Sequence, residues 1–461
     1  MMKPTMLFES LPRRRFLWTA AAVLALLALA PASVLAGEED HGREKWVASW
    51  AASAHGPFPS GFAVAQPNLT FAFPSAQTGA NDQTFRLIVH PDLWGKRFRL
   101  RFSNVFGVKP VTLDDLYVGL QASAGAVVPG SNRPVTFDGG GSVTIPAGQS
   151  LYSDAVELEY VNDAARFYLD GRKLAVSFHV AGTSGLMTWH AKALQTSYVS
   201  GPGTGSHGAD EGDVAFPNST TSWYFLDAVD VMGPADTVVV APFGDSITDG
   251  TGSTLNGDDR WPNDLSRRLH AAYGNHVSVV DEGIGGNQIL GPPVYTPQVP
   301  FSGGPSALSR LERDVFSLSG ISAIVWLEGI NDLGSANATA DAVISGLQEG
   351  VQRAHDKGLK IIGATMTSSL NSTNVSYGTA DVNVRRKAIN AFIRGSGVFD
   401  GVADFDAVTV DPATGALRVE FQTNSTLGTI DRLHPNRAGY LVMAGVIDLG
   451  PLAPASHADG D

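Results

Sequence analysis

The stretch TVVVAPFGDSITDGTG, Thr237 to Gly252, sets an apolar run against a turn that carries a hydroxyl. Val238, Val239 and Val240 are β-branched, and a short apolar run bounded by turn residues reads as a buried strand. Gly244, Asp245 and Ser246 follow it. All three are ordinary turn residues. They also stand where a nucleophile would, because ligands in parallel sheets bind beyond the carboxyl ends of the strands. The reading of Ser246 therefore turns on whether this strand belongs to a parallel sheet.

The flanking sequence predicts that it does. From residue 234 to 450 strand-like runs alternate with helical patterns. The strands are TVVVAPF, HVSVVDEG, ISAIVWLEG, LKIIGATM and FDGVADF. Between them lie WPNDLSRRLHAAYG, with Trp261, Leu265, Leu269 and Ala272 on one face, then PSALSRLERDVFSL, ADAVISGLQEGVQRAHDKG and DVNVRRKAINAFIRG. A last helix follows His434. Such alternation argues for an α/β domain with a parallel sheet covered on both sides. Residues 46–233 have another texture. In KRFRLRFSN, Phe98, Leu100 and Phe102 point one way and Arg97, Arg99, Arg101 and Ser103 the other. Many short strands with frequent turns predict an all-β sandwich, jelly-roll-like. Residues 451–461 read as a disordered tail.

Composition narrows the function. The chain has 461 residues, 43% hydrophobic and 17% charged, and a formal charge of −13. The first 36 residues carry a net +3, so the remainder stands at −16. A surface that acidic excludes nucleic acid and anionic membranes as natural partners. Residues 1–36 have a basic start, an apolar stretch from Phe16 to Ala30, and Val34-Leu35-Ala36 before a cleavage point. That is the pattern of a signal peptide, implying a secreted or periplasmic protein without a stable membrane span after cleavage. An uncleaved anchor is the competing reading, but the apolar stretch is short for a span. Arg13-Arg14-Arg15 fits either general or twin-arginine export, with Pro12 where the latter has Ser or Thr. Oligomeric state is not legible. There is no cysteine, which removes disulfides, thiolate metal sites and a cysteine nucleophile. No H-E-x-x-H or G-x-S-x-G occurs, and GIGGNQILG does not meet G-x-G-x-x-G. No metal and no cofactor is expected.

Four short segments at predicted strand ends carry chemistry. Ser246 needs a base within hydrogen-bond reach. In DRLHPNRAGY, Asp431 and His434 are spaced so that the carboxylate can hold Nδ1–H and leave Nε2 as base. VVDEGIGGN places Gly286, and WLEGIND places Asn331, where a backbone N–H and a side-chain amide could serve an oxyanion. Singly, these are a cap, an exposed loop histidine, a turn and a helix start. Together they make one candidate site.

The order GDSITDG, GIGGN, GIND and DRLH resembles the SGNH/GDSL hydrolase superfamily, over roughly Thr237 to Leu449. The resemblance implies a flavodoxin-like three-layer α/β/α sandwich and a serine esterase acting through an acyl-enzyme. It assigns Ser246, Asp431 and His434 as catalytic, and Ser246, Gly286 and Asn331 to the oxyanion hole. Asp281 stands where the second block often begins with Asn, which puts one supporting hydrogen bond in doubt. WVASW, RFRLRFSNVFG, DRWPNDLSRRL, RLERDV and DRLHPNRAGY are further similar to a secreted bacterial branch grouped with acetylxylan and rhamnogalacturonan acetylesterases, which has an N-terminal β domain. The implied partner is an ester, with acetylated polysaccharide the leading candidate and short-chain acyl esters of a lipase or arylesterase the alternative. In GPPVYTPQVPFSGGPS, Tyr295 and Phe301 are candidate pocket walls. A reading of another class makes the protein a carbohydrate binder with a vestigial hydrolase, using Trp189, Trp223 or Tyr224.

Overall fold

Strand Val238–Gly244 lies between Val277–Val279 and Ile321–Leu327 in a parallel sheet that continues through Lys360–Ala364 to Gly401–Ala403. The short strand Glu282–Gly283 extends the first edge along Val238–Gly244. In chain order the strands run 2-1-3-4-5, the flavodoxin-like order, and the order reverses at Val238–Gly244. The crevice beyond its carboxyl end is therefore the place for a ligand. The computed structural model describes residues 44–162, 166–423 and 430–455. Residues 1–36, read as a signal peptide, lie outside them.

Successive side chains of these strands enter two different cores, as the period of two requires. Val239, Ala241, Phe243, Ile324 and Trp326 pack with Val343, Leu347 and Val351 of helix Ala340–Asp356 and Ile389 and Ile393 of helix Ala380–Gly395. Val240, Ala323, Val325 and Leu327 pack with Trp261, Leu265 and Leu269 of helix Trp261–Tyr273 and Tyr440 and Met443 of helix Arg437–Gly445. Both faces are covered, giving three layers. The helices start where their caps dictate: Thr339 accepts from Ala342 N, Thr379 from Val382 N, and Asn436 from Ala438 N and Gly439 N. Ala272 departs from the expected face and is exposed, because the helix buries only Trp261, Leu265 and Leu269 along that stripe.

Besides a small sheet made of Trp223–Tyr224, Thr188–His190 and Gly56–Pro57, residues 44–234 form two large antiparallel sheets. One orders Glu44–Ala51, Leu226–Pro234, Arg97–Ser103 and then Val156–Glu157, with Ser150–Tyr152 also on Arg97–Ser103. The other orders Asn218–Thr220, Ser197–Val199, Asn81–Val89, Leu174–Thr183 and Val111–Ser123, with Ser142–Ile145 beyond. With Glu44–Ala51, Asn81–Val89, Arg97–Ser103, Val111–Ser123, Ser142–Ile145, Val156–Glu157, Leu174–Thr183 and Leu226–Pro234 numbered 1 to 8, the sheets read 1-8-3-6 and 2-7-4-5, the order of a jelly roll. The sheets meet through rings such as Phe102 and Phe178, 5.2 Å apart at right angles. Trp189, Trp223 and Tyr224 are all buried in this interior, which removes them as a surface for glycans. One helical turn, Arg166–Leu169, interrupts the β texture.

The polar face of Arg97–Ser103 is not a solvent face. Arg101 pairs with Asp227 at 2.7 Å and donates to Ser317 Oγ, and Arg99 pairs with Asp230 and donates to Ser319 Oγ. Ala48 donates its N–H to Ser319 O and accepts from Ser278 Oγ. Val47 and Phe98 share one continuous apolar core with Val239 and Leu311. The described residues accordingly form one compact unit. The tail read from 451 begins inside the fold, since Gly450–Leu452 is a 3-10 turn whose Leu452 is fully buried. Residues 456–461 lie outside the described residues.

Glu328, one residue beyond strand Ile321–Leu327, is 1% exposed. One carboxyl oxygen accepts from Trp326 Nε1 at 2.8 Å, and the other has no partner among the described residues. Burial pushes its carboxyl up to about 8. An acid raised in this way holds its proton in the folded state and loses it in the unfolded chain, so its contribution to stability fades as pH rises from about 4.5 to 8. Glu328→Gln mimics the protonated form. Thermal unfolding should show a higher midpoint than the parent at pH 8 and no difference at pH 4.

Candidate active site

The sheet register makes the strand ends converge. Gly244 pairs with Gly283 on one side and Leu327 on the other. Ser246, Gly286 and Asn331 lie two, three and four residues past these paired ends. A side chain at Gly244 would run into Leu327 O at 2.1 Å, so glycine permits this close approach.

Ser246 stands at the start of a tight helical turn. Asp245 Oδ1 accepts from Ile247 N at 2.9 Å, and Ser246 O accepts from the N–H groups of Gly250 and Thr251. Ser246 Oγ lies 2.8 Å from His434 Nε2, and His434 Nδ1 lies 2.5 Å from Asp431 Oδ2. Asp431 Oδ1 accepts from the backbone N–H groups of Leu433 and His434. Burial pushes the Asp431 carboxyl up, but its hydrogen bond and attraction to His434 and these backbone bonds outweigh that and hold it below the ordinary range. An ionised carboxylate only accepts, so His434 donates Nδ1–H to it and turns the Nε2 lone pair to Ser246. Ser246 is thus joined in one hydrogen-bonded row to His434, 188 positions away, and through it to Asp431.

Gly286 adopts φ +79°, a conformation that favours glycine. Among the described residues neither Ser246 N nor Gly286 N has a hydrogen-bond acceptor. Asn331 is 4% exposed. Its Oδ1 accepts from Tyr377 OH at 2.9 Å and its Nδ2 donates to Asn287 O at 2.8 Å, which fixes the amide plane and leaves one N–H unused. Asp281 replaces the expected Asn without loss of the local bond, since Oδ1 accepts from Gly283 N at 2.9 Å.

Two buried side chains hold the loop that carries Gly286. Arg310, 1% exposed, is the last residue of a short helix, Ala307–Arg310, that passes into a π-helical turn, Leu311–Phe316. Its guanidinium donates to Gly244 O, Glu282 O, Asn287 Oδ1 and Ser53 Oγ, and lies 4.0 Å over the Phe243 ring. Asn287 in turn donates to Gly303 O and Pro305 O. Asp249 Oδ2 accepts Gly285 N at 2.7 Å. Behind it stand two residues of the β segment, Lys192 with Nζ 3.4 Å from Oδ2, and His190 with Nε2 3.3 Å from Oδ1. Lys192 also donates to Thr251 Oγ1 at 2.6 Å. Burial pushes the Asp249 carboxyl up, but the charge of Lys192 and the nearby His190 ring prevail and hold it well below the usual range. Asp245 is pushed up by burial to about 7, which its bond from Ile247 N and the charge of Lys192 only partly offset.

The two residues read as pocket walls part company. Tyr295 turns toward the β segment, donating its OH to His55 O and lying 5.3 Å from the Phe106 ring. Phe301 packs on Gly303, which touches the Gly286 carbonyl. A cavity of about 810 Å³ lies away from Ser246, between the β segment and helix Trp261–Tyr273, lined by Trp50, Asp92, Arg260 and His270. Among the described residues no group of three or more His, Asp or Glu side chains could hold a metal ion, and no helix is long and apolar enough to cross a membrane. Asp249, Asn287 and Arg310 lie in GDSITDG, GIGGN and RLERDV, where a search for buried partners could have found them. Nothing in the sequence marks Lys192 or His190.

Residues 243–442 match the model of the GDSL-like lipase/acylhydrolase family. Among solved structures, the chain is similar to a GDSL-like lipase from Bacteroides thetaiotaomicron at 18% identity and a TM-score of 0.34, covering 46% of this chain and 85% of that one. An acetyl xylan esterase aligns at 18% identity and 0.31, covering 45% and 96%. A lipolytic protein of the G-D-S-L family from Veillonella parvula aligns at 18% and 0.33, covering 45% and 95%. No curated protein matches the chain.

Removing Lys192 should leave a buried carboxylate without its cation. Lys192→Met should cost roughly 3–5 kcal/mol in urea unfolding, and adding Asp249→Asn should recover most of it. A Lys192→Met midpoint equal to the parent's would show that the pair carries no such energy.

Proposed function

We propose that the protein is a secreted serine esterase that hydrolyses carboxylic esters through an acyl-enzyme. The observation that carries this reading is the row Ser246 Oγ, His434 Nε2, Nδ1 and Asp431 Oδ2, closed at 2.8 and 2.5 Å. His434 Nε2 takes the Ser246 proton as Oγ bonds to the ester carbonyl carbon. The carbonyl π electrons move to oxygen, where the N–H groups of Ser246 and Gly286 and the Asn331 amide receive the charge. The intermediate collapses, the C–O bond to the alcohol breaks, and His434 returns the proton to the leaving alkoxide. Water repeats the cycle on the acyl-enzyme and releases the acid. Asp431 keeps the imidazole in the required tautomer throughout.

For the natural substrate we propose a short acyl group, acetate first, on a polysaccharide or another alcohol. The acidic chain and the export pattern of residues 1–36 support a soluble neutral polymer met outside the cytoplasm. A lipase or arylesterase of short-chain esters is the neighbouring reading, favoured by the matched family. Acetate release from acetylated xylan, set against 4-nitrophenyl butyrate hydrolysis, separates the two.

Ser246→Ala should lower kcat on 4-nitrophenyl acetate by about a million-fold, the size seen when other triads lose their nucleophile. Asn331→Ala should lower it by about 10²–10³-fold with the fold intact. Normal turnover by Ser246→Ala would remove Ser246 from the chemistry.

A further inference from the structure

The β segment reaches the site with one aromatic ring. Phe62 is 50% exposed, although it lies directly against the loop proposed to hold the oxyanion. A methyl placed on Gly286 would fall 2.5 Å from Phe62 Cε2 and 3.1 Å from Cδ2, so the ring rests on the bare Gly286 backbone. The same point lies 3.3 Å from Gly303 Cα, and a methyl on Gly303 would fall 2.6 Å from Phe301 Cε1. Two rings from distant parts of the chain therefore flank the touching pair Gly286 and Gly303.

The loop that carries Phe62 is fastened on both sides. Trp189 Nε1 donates to Ser60 O at 3.0 Å, and Gly61 fits against Ala191 and the His55 ring. Beyond it, Val64 O accepts from Thr221 Oγ1 at 2.7 Å, and Gln66 Oε1 accepts from Thr221 N at 2.6 Å. A half-exposed ring held this firmly beside the reacting carbonyl is a contact surface with little ordering entropy left to lose on binding. Its exposure bears on which half of the ester it meets. The alcohol of a polymer has to continue outward to solvent, and Phe62 is half exposed where it lies against Gly286.

We propose that Phe62 is a specificity-determining residue that receives the ring of the ester's alcohol, so that the preferred substrates are esters of cyclic alcohols, sugar or aryl. This rests on the ester-hydrolase reading. The ring offers an apolar face to a planar or pyranose group, a contact worth about three- to ten-fold in affinity. It adds nothing for an alcohol too small to reach it.

The test is steady-state kinetics of the full chain and of Phe62→Ala and Phe62→Trp. One series varies the alcohol at constant acetyl, from methyl acetate to 4-nitrophenyl acetate and acetylated xylo-oligosaccharide. Another varies the acyl group at constant 4-nitrophenol, from acetate to hexanoate. Phe62→Ala should raise KM about three- to ten-fold for both ring-bearing acetates, keep kcat within twofold, and leave kcat/KM on methyl acetate unchanged. Phe62→Trp should keep the parental KM. Equal loss on all three acetates, or a loss that grows with acyl length, would overturn the assignment. Ser246-dependent turnover that ignores Phe62 sinks this inference alone, whereas turnover that survives Ser246→Ala sinks the ester-hydrolase reading and this one with it.

Discussion

The Arg310 guanidinium is the point on which the arrangement depends. It joins the carbonyl at the end of the Ser246 strand, the carbonyl of Glu282, the side chain of Asn287 and the hydroxyl of Ser53. Those four acceptors come from the strand that leads to Ser246, the neighbouring strand, the Gly286 loop and the β segment. A charge this deep is tolerated only where its N–H groups are satisfied and a counter-charge is near. Asp314 provides the latter, since burial raises its carboxyl but Arg313 and Arg310 outweigh that and lower it. Glu282 goes the other way, pushed well up by burial and by the charge of Asp314. Ser53 Oγ ties Glu282 into the same cluster by donating to its carboxyl group.

A second buried charge sets the other side of the same loop. Lys192 and His190 face Asp249, and Asp249 takes the amide of Gly285 next to Gly286. The jelly-roll sheets thus do more than cover a hydrophobic face. They supply a cation and a histidine to the backbone that presents Gly286, and through Phe62 they supply part of the rim. A β segment fused this tightly, with a shared apolar core and salt bridges such as Arg101 with Asp227 at its edge, fixes the loops that a parallel sheet leaves at its carboxyl end.

What was legible in the sequence was local. The valines before Gly244, the alternation in KRFRLRFSN and the helical faces all depend on neighbours within a few residues, and the elements formed where those patterns lay. The order GDSITDG, GIGGN, GIND and DRLH named Ser246, Gly286, Asn331, Asp431 and His434; the register of three adjacent strands brings the loops of the first three to one end of the sheet, and His434 meets Ser246 there from the C-terminal segment. Long-range partners were not legible. Arg99 and Arg101 alternate like a solvent face, yet they meet Asp230 and Asp227 against the α/β segment. Lys192 has no local signature, because its meaning comes from Asp249, 57 positions away. The tie of Tyr295 to the β segment was hidden for the same reason, since its hydroxyl donates to His55 O, 240 positions away. Phe62 looked like one loop aromatic among several until its contact with Gly286 was known.

The central claim is that Ser246, activated by His434, is the nucleophile. The most direct measurement is intact-mass and peptide-mapping spectrometry after exposure to diethyl 4-nitrophenyl phosphate, which traps an activated serine as a stable phosphoryl ester. One diethylphosphoryl group per chain, on Ser246, formed far more slowly when His434 is replaced by Ala, is the result this account requires. An unmodified Ser246, or a label that settles on another residue at the same rate in both proteins, would contradict it.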